Sequence, residues 1–77
     1  MKKVTIYSTP VCGFCKMAKA FFVENKIEYI EHDVATDEAM RKEMIEKTGQ
    51  MGVPVIEIDE QVVVGFDKEK LSEMLGL

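Results

Sequence analysis

Val4-Thr5-Ile6-Tyr7-Ser8-Thr9-Pro10-Val11-Cys12-Gly13-Phe14-Cys15 is the stretch on which the fold turns. Val4 to Tyr7 alternates β-branched and aromatic side chains, the residues that suit a pleated, half-buried surface, and Thr9-Pro10 stops the run because proline cannot donate to a strand ladder. A strand is predicted over about residues 3–8. From Gly13 to about Asn25 the apolar positions are Met17, Ala18, Phe21 and Phe22, the spacing of one helical face. Cys12 and Cys15 therefore fall where a strand hands over to a helix, and Asn25-Lys26 breaks the helical pattern.

Outward from there, Ile27 to Val34 predicts a second strand with Ile27, Tyr29 and Ile30 turned inward, ended by the polar run Asp33 to Asp37. Thr36 is placed to cap a second helix whose first turn holds Asp37 and Glu38, where negative charge meets the positive end of the helix dipole. Ala39, Met40, Met44, Ile45 and Thr48 supply its inner face, and Gly49 stops it. Val53 to Ile58 and Gln61 to Val64 read as two strands joined by a tight turn at Asp59-Glu60, and Asp67 offers a cap to a last helix with Leu71, Met74 and Leu75 inward. A strand–helix–strand start requires parallel pairing of the first two strands, whereas a tight hairpin requires antiparallel pairing of the last two. The expectation is an α/β fold in the order βαβαββα, a four-stranded mixed sheet with helices on both faces, and residues 1–77 forming one domain.

The 77 residues are 47% apolar and 31% charged, which removes the compositional support for disordered, collagen-like and coiled-coil readings. Ten Lys and Arg against 14 Asp and Glu leave a formal charge of −4, which works against partners held through phosphate contacts, so no nucleic acid is expected. No uncharged run approaches the roughly 18 residues that span a bilayer, and Met1-Lys2-Lys3 leads into a strand rather than a signal peptide. A cytoplasmic protein without a membrane partner is expected.

Two cysteines three positions apart close almost no loop, so a bridge between them adds little stability and their purpose lies in chemistry. Ahead of a helix, free backbone N–H groups and the dipole stabilise a thiolate, which predicts Cys12 as the nucleophile with a pKa below the reference of about 8.5. Cys15, one turn further in on the same face, is placed to attack a mixed disulfide on Cys12 as the resolving thiol. Lys16 and His32 read as solvated side chains, as do the acidic pairs Glu57/Asp59 and Glu24/Glu28. Phe14 either offers an apolar landing surface or folds onto the core. Met51, in the loop before Pro54, divides evenly between a substrate groove and ordinary packing, while the helical methionines read as core filler. Structural zinc wants four ligands, and His32 is the only other soft or borderline candidate, so no closed metal site is expected.

Three motifs, Tyr7 to Cys15, Thr48-Gly49-Gln50-Met51-Gly52-Val53-Pro54 and Val64-Gly65-Phe66-Asp67, occur in the order in which they occur in glutaredoxin-like members of the thioredoxin-fold superfamily, which the chain resembles over nearly its whole length. The resemblance implies that Pro54 follows a cis bond and faces the cysteines, and that Pro10, Val11, Gly13, Phe14, Val53, Pro54, Gly65, Phe66 and Asp67 contact substrate. Glutathione-using glutaredoxins usually carry a basic residue three positions before the first cysteine, where this chain has Thr9, and Gly-Gly-x-Asp-Asp where it has Val64-Gly65-Phe66-Asp67-Lys68. The chain also resembles small redoxins that take electrons from thioredoxin reductase. It is accordingly expected to be a monomer that reduces protein disulfides through Cys12 and Cys15, with no cofactor beyond that redox-active disulfide. A flavoenzyme of the thioredoxin-reductase type is favoured as electron donor over glutathione. Cys-Gly-Phe followed by Ser is the motif of single-cysteine glutaredoxins that hold an iron–sulfur cluster between two subunits, so cluster binding across a dimer is the alternative reading.

Overall fold

The computed structural model describes residues 2–77, and Met1, at the head of the Met1-Lys2-Lys3 stretch, lies outside them. Among the described residues the elements are β1 (Val4–Ser8), α1 (Gly13–Glu24), β2 (Ile30–Asp33), α2 (Glu38–Thr48), β3 (Val55–Ile58), β4 (Gln61–Val64) and α3 (Lys68–Leu75). The sheet runs β2-β1-β3-β4. β1 pairs parallel with β2, while β1 with β3 and β3 with β4 are antiparallel, the mixed sheet that the element order demands.

Successive side chains of a strand point to opposite faces, and the two faces bury different helices. Val4 and Ile6 of β1, Ile56 and Ile58 of β3 and Val63 of β4 meet Ala18, Phe21 and Phe22 of α1 and Leu71 of α3. Tyr7 and Val55 meet Met44 of α2, joined by Val34. Phe22, Met44 and Leu71 have no solvent exposure, and burying a side chain of this kind contributes roughly 1.5–3 kcal/mol.

The caps explain where the helices start and stop, and they correct the sequence reading in places. Asp37, not Thr36, caps α2: its carboxylate accepts from the Met40 N–H at 3.1 Å. Asp67 caps α3 in the same way through the Lys70 N–H at 3.1 Å, and Gly49 ends α2 at φ 71°. Met17 faces solvent rather than the core, because the buried stripe of α1 runs through Cys15, Ala18, Phe21 and Phe22, and Ala39 is exposed on α2, whose buried residue is Met44. β2 is shorter than predicted, with Ile27 and Tyr29 reaching the core from the segment before it, and Ile30 is turned outward. β3 starts two residues later than predicted, after Pro54.

The hairpin turn without glycine works because Asp59 itself takes a positive φ of 55°, which Asp tolerates better than most side chains. Its backbone N–H donates to the Lys3 carbonyl at 2.8 Å and its carboxylate accepts from the Lys3 N–H at 2.9 Å, so Asp59 clamps the start of β1. Glu57 is likewise engaged rather than solvated. Lys47 of α2 bonds to it at 2.9 Å and donates to the Tyr7 hydroxyl at 3.1 Å, which ties α2 to the sheet and holds the Lys47 pKa above its ordinary value. His32 stacks on Tyr7 with ring centroids 5.4 Å apart, another departure from the solvated reading.

Candidate functional site

Three loops meet at one end of the sheet. Tyr7 lies opposite Val55 and Val55 opposite Val64, so the loop leaving β1 with Cys12, the loop entering β3 with Pro54 and the segment leaving β4 with Gly65 share one edge. The Val53-Pro54 bond is cis. The Pro54 carbonyl accepts from the Gly65 N–H at 2.7 Å, and Gly65 has φ 89°, a conformation for which glycine is the fitting residue.

Cys12 is the N-cap of α1, with extended backbone, and its Sγ accepts from the Cys15 N–H at 3.1 Å. A donor from the first helical turn is thus aimed at the sulfur that would carry negative charge. Cys12 is partly accessible, whereas Cys15 is fully buried, and both are free thiols. Burial is the main cause that pushes the Cys15 pKa up to about 11, reinforced by its hydrogen bond to Cys12 and the charge on Cys12, and opposed by a Thr9 backbone contact and by Lys19. The two sulfurs therefore differ in both reach and readiness: one meets solvent, the other stays protonated at neutral pH.

Exposed apolar side chains stand on the cysteine loop, on the first turn of α1 and on the loop before Pro54. Val11 is 91% exposed, Phe14 62% and Met51 69%, so the Phe14 ring stands outward rather than on the core, and Met51 is unpacked. Pro10 and Gly13 are also exposed, Val53 is half-buried against the α2 side, and Pro54 is buried. Phe66 turns its ring edge-on to Phe21, 5.9 Å between centroids, and Asp67 spends its carboxylate on the α3 cap. Lys16 is exposed. The loop before Pro54 is closed by its own side chains: the Thr48 hydroxyl donates to the Met44 carbonyl at 2.8 Å and accepts from the Gln50 N–H at 3.3 Å, and the Gln50 side chain accepts from the Gly52 N–H at 2.5 Å. A Cβ on residue 52 would stand 2.6 Å from that Gln50 oxygen, so a side chain there would push the Gln50 amide out of this arrangement.

Sequence reading missed a polar cluster beside Cys15. Ser8 is buried, and its hydroxyl donates to Glu31 at 2.8 Å; the same carboxylate oxygen takes the Lys19 ammonium at 2.8 Å. This pairing holds the Glu31 pKa down and the Lys19 pKa up. The signal was Lys19 four residues after Cys15, on the same face of the helix. Among the described residues no group of three or more His, Cys, Asp or Glu is gathered to hold a metal ion, and no helix is long and apolar enough to cross a membrane.

The glutaredoxin family model matches residues 4–63. An uncharacterized glutaredoxin-like 8.6 kDa protein in the rubredoxin operon of Clostridium pasteurianum is 39% identical over 94% of this chain and 96% of its own. Glutaredoxin 3 of Escherichia coli strain K12 is 36% identical over 87% of this chain and 81% of its own. Among solved structures, a thioredoxin-like protein superposes with a TM-score of 0.91 at 37% identity, covering 99% of this chain and 97% of that one.

Proposed function

The chain belongs to the glutaredoxin family of thiol oxidoreductases, and on that premise we propose that it reduces protein disulfides through Cys12 as nucleophile and Cys15 as resolving thiol. The observation that carries this reading is the division of the pair: an accessible Cys12 sulfur at the head of α1, with an N–H aimed at it, above a buried Cys15. The Cys12 thiolate attacks one sulfur of a substrate disulfide, and the other substrate sulfur leaves with the electron pair and takes a proton. Cys15 then loses its proton and attacks the Cys12 sulfur, which expels the second substrate thiol and leaves a Cys12–Cys15 disulfide. Two electrons have passed to the substrate. The remaining residues carried over from the family, Pro10, Val11, Gly13, Phe14, Val53, Pro54, Gly65, Phe66 and Asp67, are proposed to line the substrate's path.

The electron donor in this reading is a flavoprotein disulfide reductase of the thioredoxin-reductase type. Support comes from Thr9 and Lys68, which stand where glutathione-using relatives place a basic and an acidic residue, and from the exposed apolar rim of Val11, Phe14 and Met51, a surface better suited to a protein than to a charged tripeptide. The test of the nucleophile is trapping. Cys15→Ser should accumulate a stable mixed disulfide with substrate protein, while Cys12→Ser should accumulate none; the reverse pattern overturns the assignment.

A further inference from the structure

We propose that Lys19 is a positioning residue for the second half of the reaction: its ammonium, held by Glu31, supplies the positive charge against which the Cys15 thiolate forms. The proposal rests on the oxidoreductase reading of Cys12 and Cys15. Cys15 and Lys19 are four residues apart in α1, so their side chains are neighbours on one face, about 5–6 Å between Cβ atoms. A lysine there would ordinarily extend into water. Lys19 is instead drawn along the helix to Glu31 of β2 at 2.8 Å, and that carboxylate is fixed from the other side by the buried Ser8 hydroxyl at 2.8 Å. Glu31 lies opposite Ile6 in the sheet register, on the face that α1 covers, so the ion pair sits at the edge of the layer in which Cys15 is buried.

As a surface tie between α1 and β2, a partly exposed pair of this kind contributes only about 0–1 kcal/mol. Its charge acts more strongly on a sulfur that water does not reach, because the local dielectric there is lower. Lys19 indeed opposes the burial that keeps Cys15 protonated. The charged and titratable groups concerned are Cys12 and Lys19 on the helix of Cys15, Glu31 on β2 and Tyr29 ahead of it, the last two acting on Lys19; His32 faces the other side of the sheet, against Tyr7. The step it assists balances: the Cys15 proton passes to solvent, the thiolate bonds to the Cys12 sulfur, and the mixed disulfide breaks with its electron pair on the departing thiol.

Ellman's reagent separates the two halves in the full chain. Attack by Cys12 releases one coloured thiolate, and attack by Cys15 on the resulting mixed disulfide releases a second. In Lys19→Gln the first phase should match the parent and the second should slow by up to about threefold, since each unit by which the Cys15 pKa rises costs tenfold in thiolate and returns roughly threefold in nucleophilicity. Lys19→Arg should keep the parent's second phase, and added salt should slow that phase in the parent but not in Lys19→Gln. A Lys19→Gln second phase equal to the parent's from mildly acidic to mildly alkaline pH, or one that Lys19→Arg fails to restore, overturns the proposal. A parent that releases no second thiolate instead sinks the oxidoreductase reading itself.

Discussion

Cys15 is the residue whose surroundings set its chemistry most strongly. Its thiol has no solvent exposure, and burial pushes its pKa from 9.0 up to about 11. In the unfolded chain the proton leaves at the ordinary pH, so between these two values the folded state holds a proton that the unfolded state has lost. Stability from this group is therefore undiminished below about pH 9 and declines as pH rises toward 11, by about 2 kcal/mol at the upper end. The reduced protein should lose this increment in urea unfolding measured at the two pH values, while Cys15→Ala, which titrates nothing there, should lose less by that amount. An equal loss in both would mean that the buried thiol is not held protonated.

Helix α1 shows how an element's two ends are made by unlike means. Its start is capped by a sulfur, Cys12, which ties the helix geometry to the reactive atom. Its end is a left-handed turn: the Ile27 N–H bonds to the Phe22 carbonyl at 2.7 Å and the Lys26 N–H to the Val23 carbonyl at 3.1 Å, the pattern that normally places glycine at the residue after the cap. Here Lys26 occupies that position at φ 57°, and a side chain in this conformation costs roughly 1–2 kcal/mol. Glycine removes that cost but adds chain entropy of about 0.5–1 kcal/mol. Lys26→Gly is therefore expected to raise the urea midpoint by an equivalent of about 0.5–1 kcal/mol without altering thiol reactivity. A lowered midpoint would show that the lysine makes contacts that outweigh its backbone.

On the scale of the whole molecule, two small cores on either side of one sheet leave a single edge for the three loops around Cys12. The surface presented there is apolar at Val11, Phe14 and Met51, on a chain of net charge −4. A small charged donor gains little from such a rim, whereas a protein partner gains buried area. The oxidised protein is accordingly expected to be reduced rapidly by NADPH with thioredoxin reductase and slowly by glutathione with glutathione reductase, as followed by NADPH consumption. Phe14→Ser should weaken the first reaction through KM with kcat little changed. Rapid reduction by glutathione, with none by thioredoxin reductase, would reverse the donor assignment.

Element order, strand directions and the placement of the cysteines at the start of α1 were all legible in the sequence, because they follow from local periodicity, from Pro and Gly at chain reversals and from the chirality of strand–helix–strand units. Cap residues were legible where a single candidate existed, as at Asp67, and misread where Thr36 and Asp37 stood side by side, since the choice depends on which backbone N–H groups the chain direction presents. Sequence also carried the family resemblance, and with it the expectation that Pro54 is cis. What tertiary structure alone decided are the pairings between residues far apart in the chain. Ser8 meets Glu31 across parallel strands, Lys47 reaches Tyr7 and Glu57 from another layer, and His32 stacks on Tyr7. It also decided that Phe14 stands out while Cys15 lies under cover. Periodicity reports which face of an element is apolar; it does not report which polar group waits on the neighbouring strand, and that neighbour determines whether a charge is solvated or set to work on a buried sulfur.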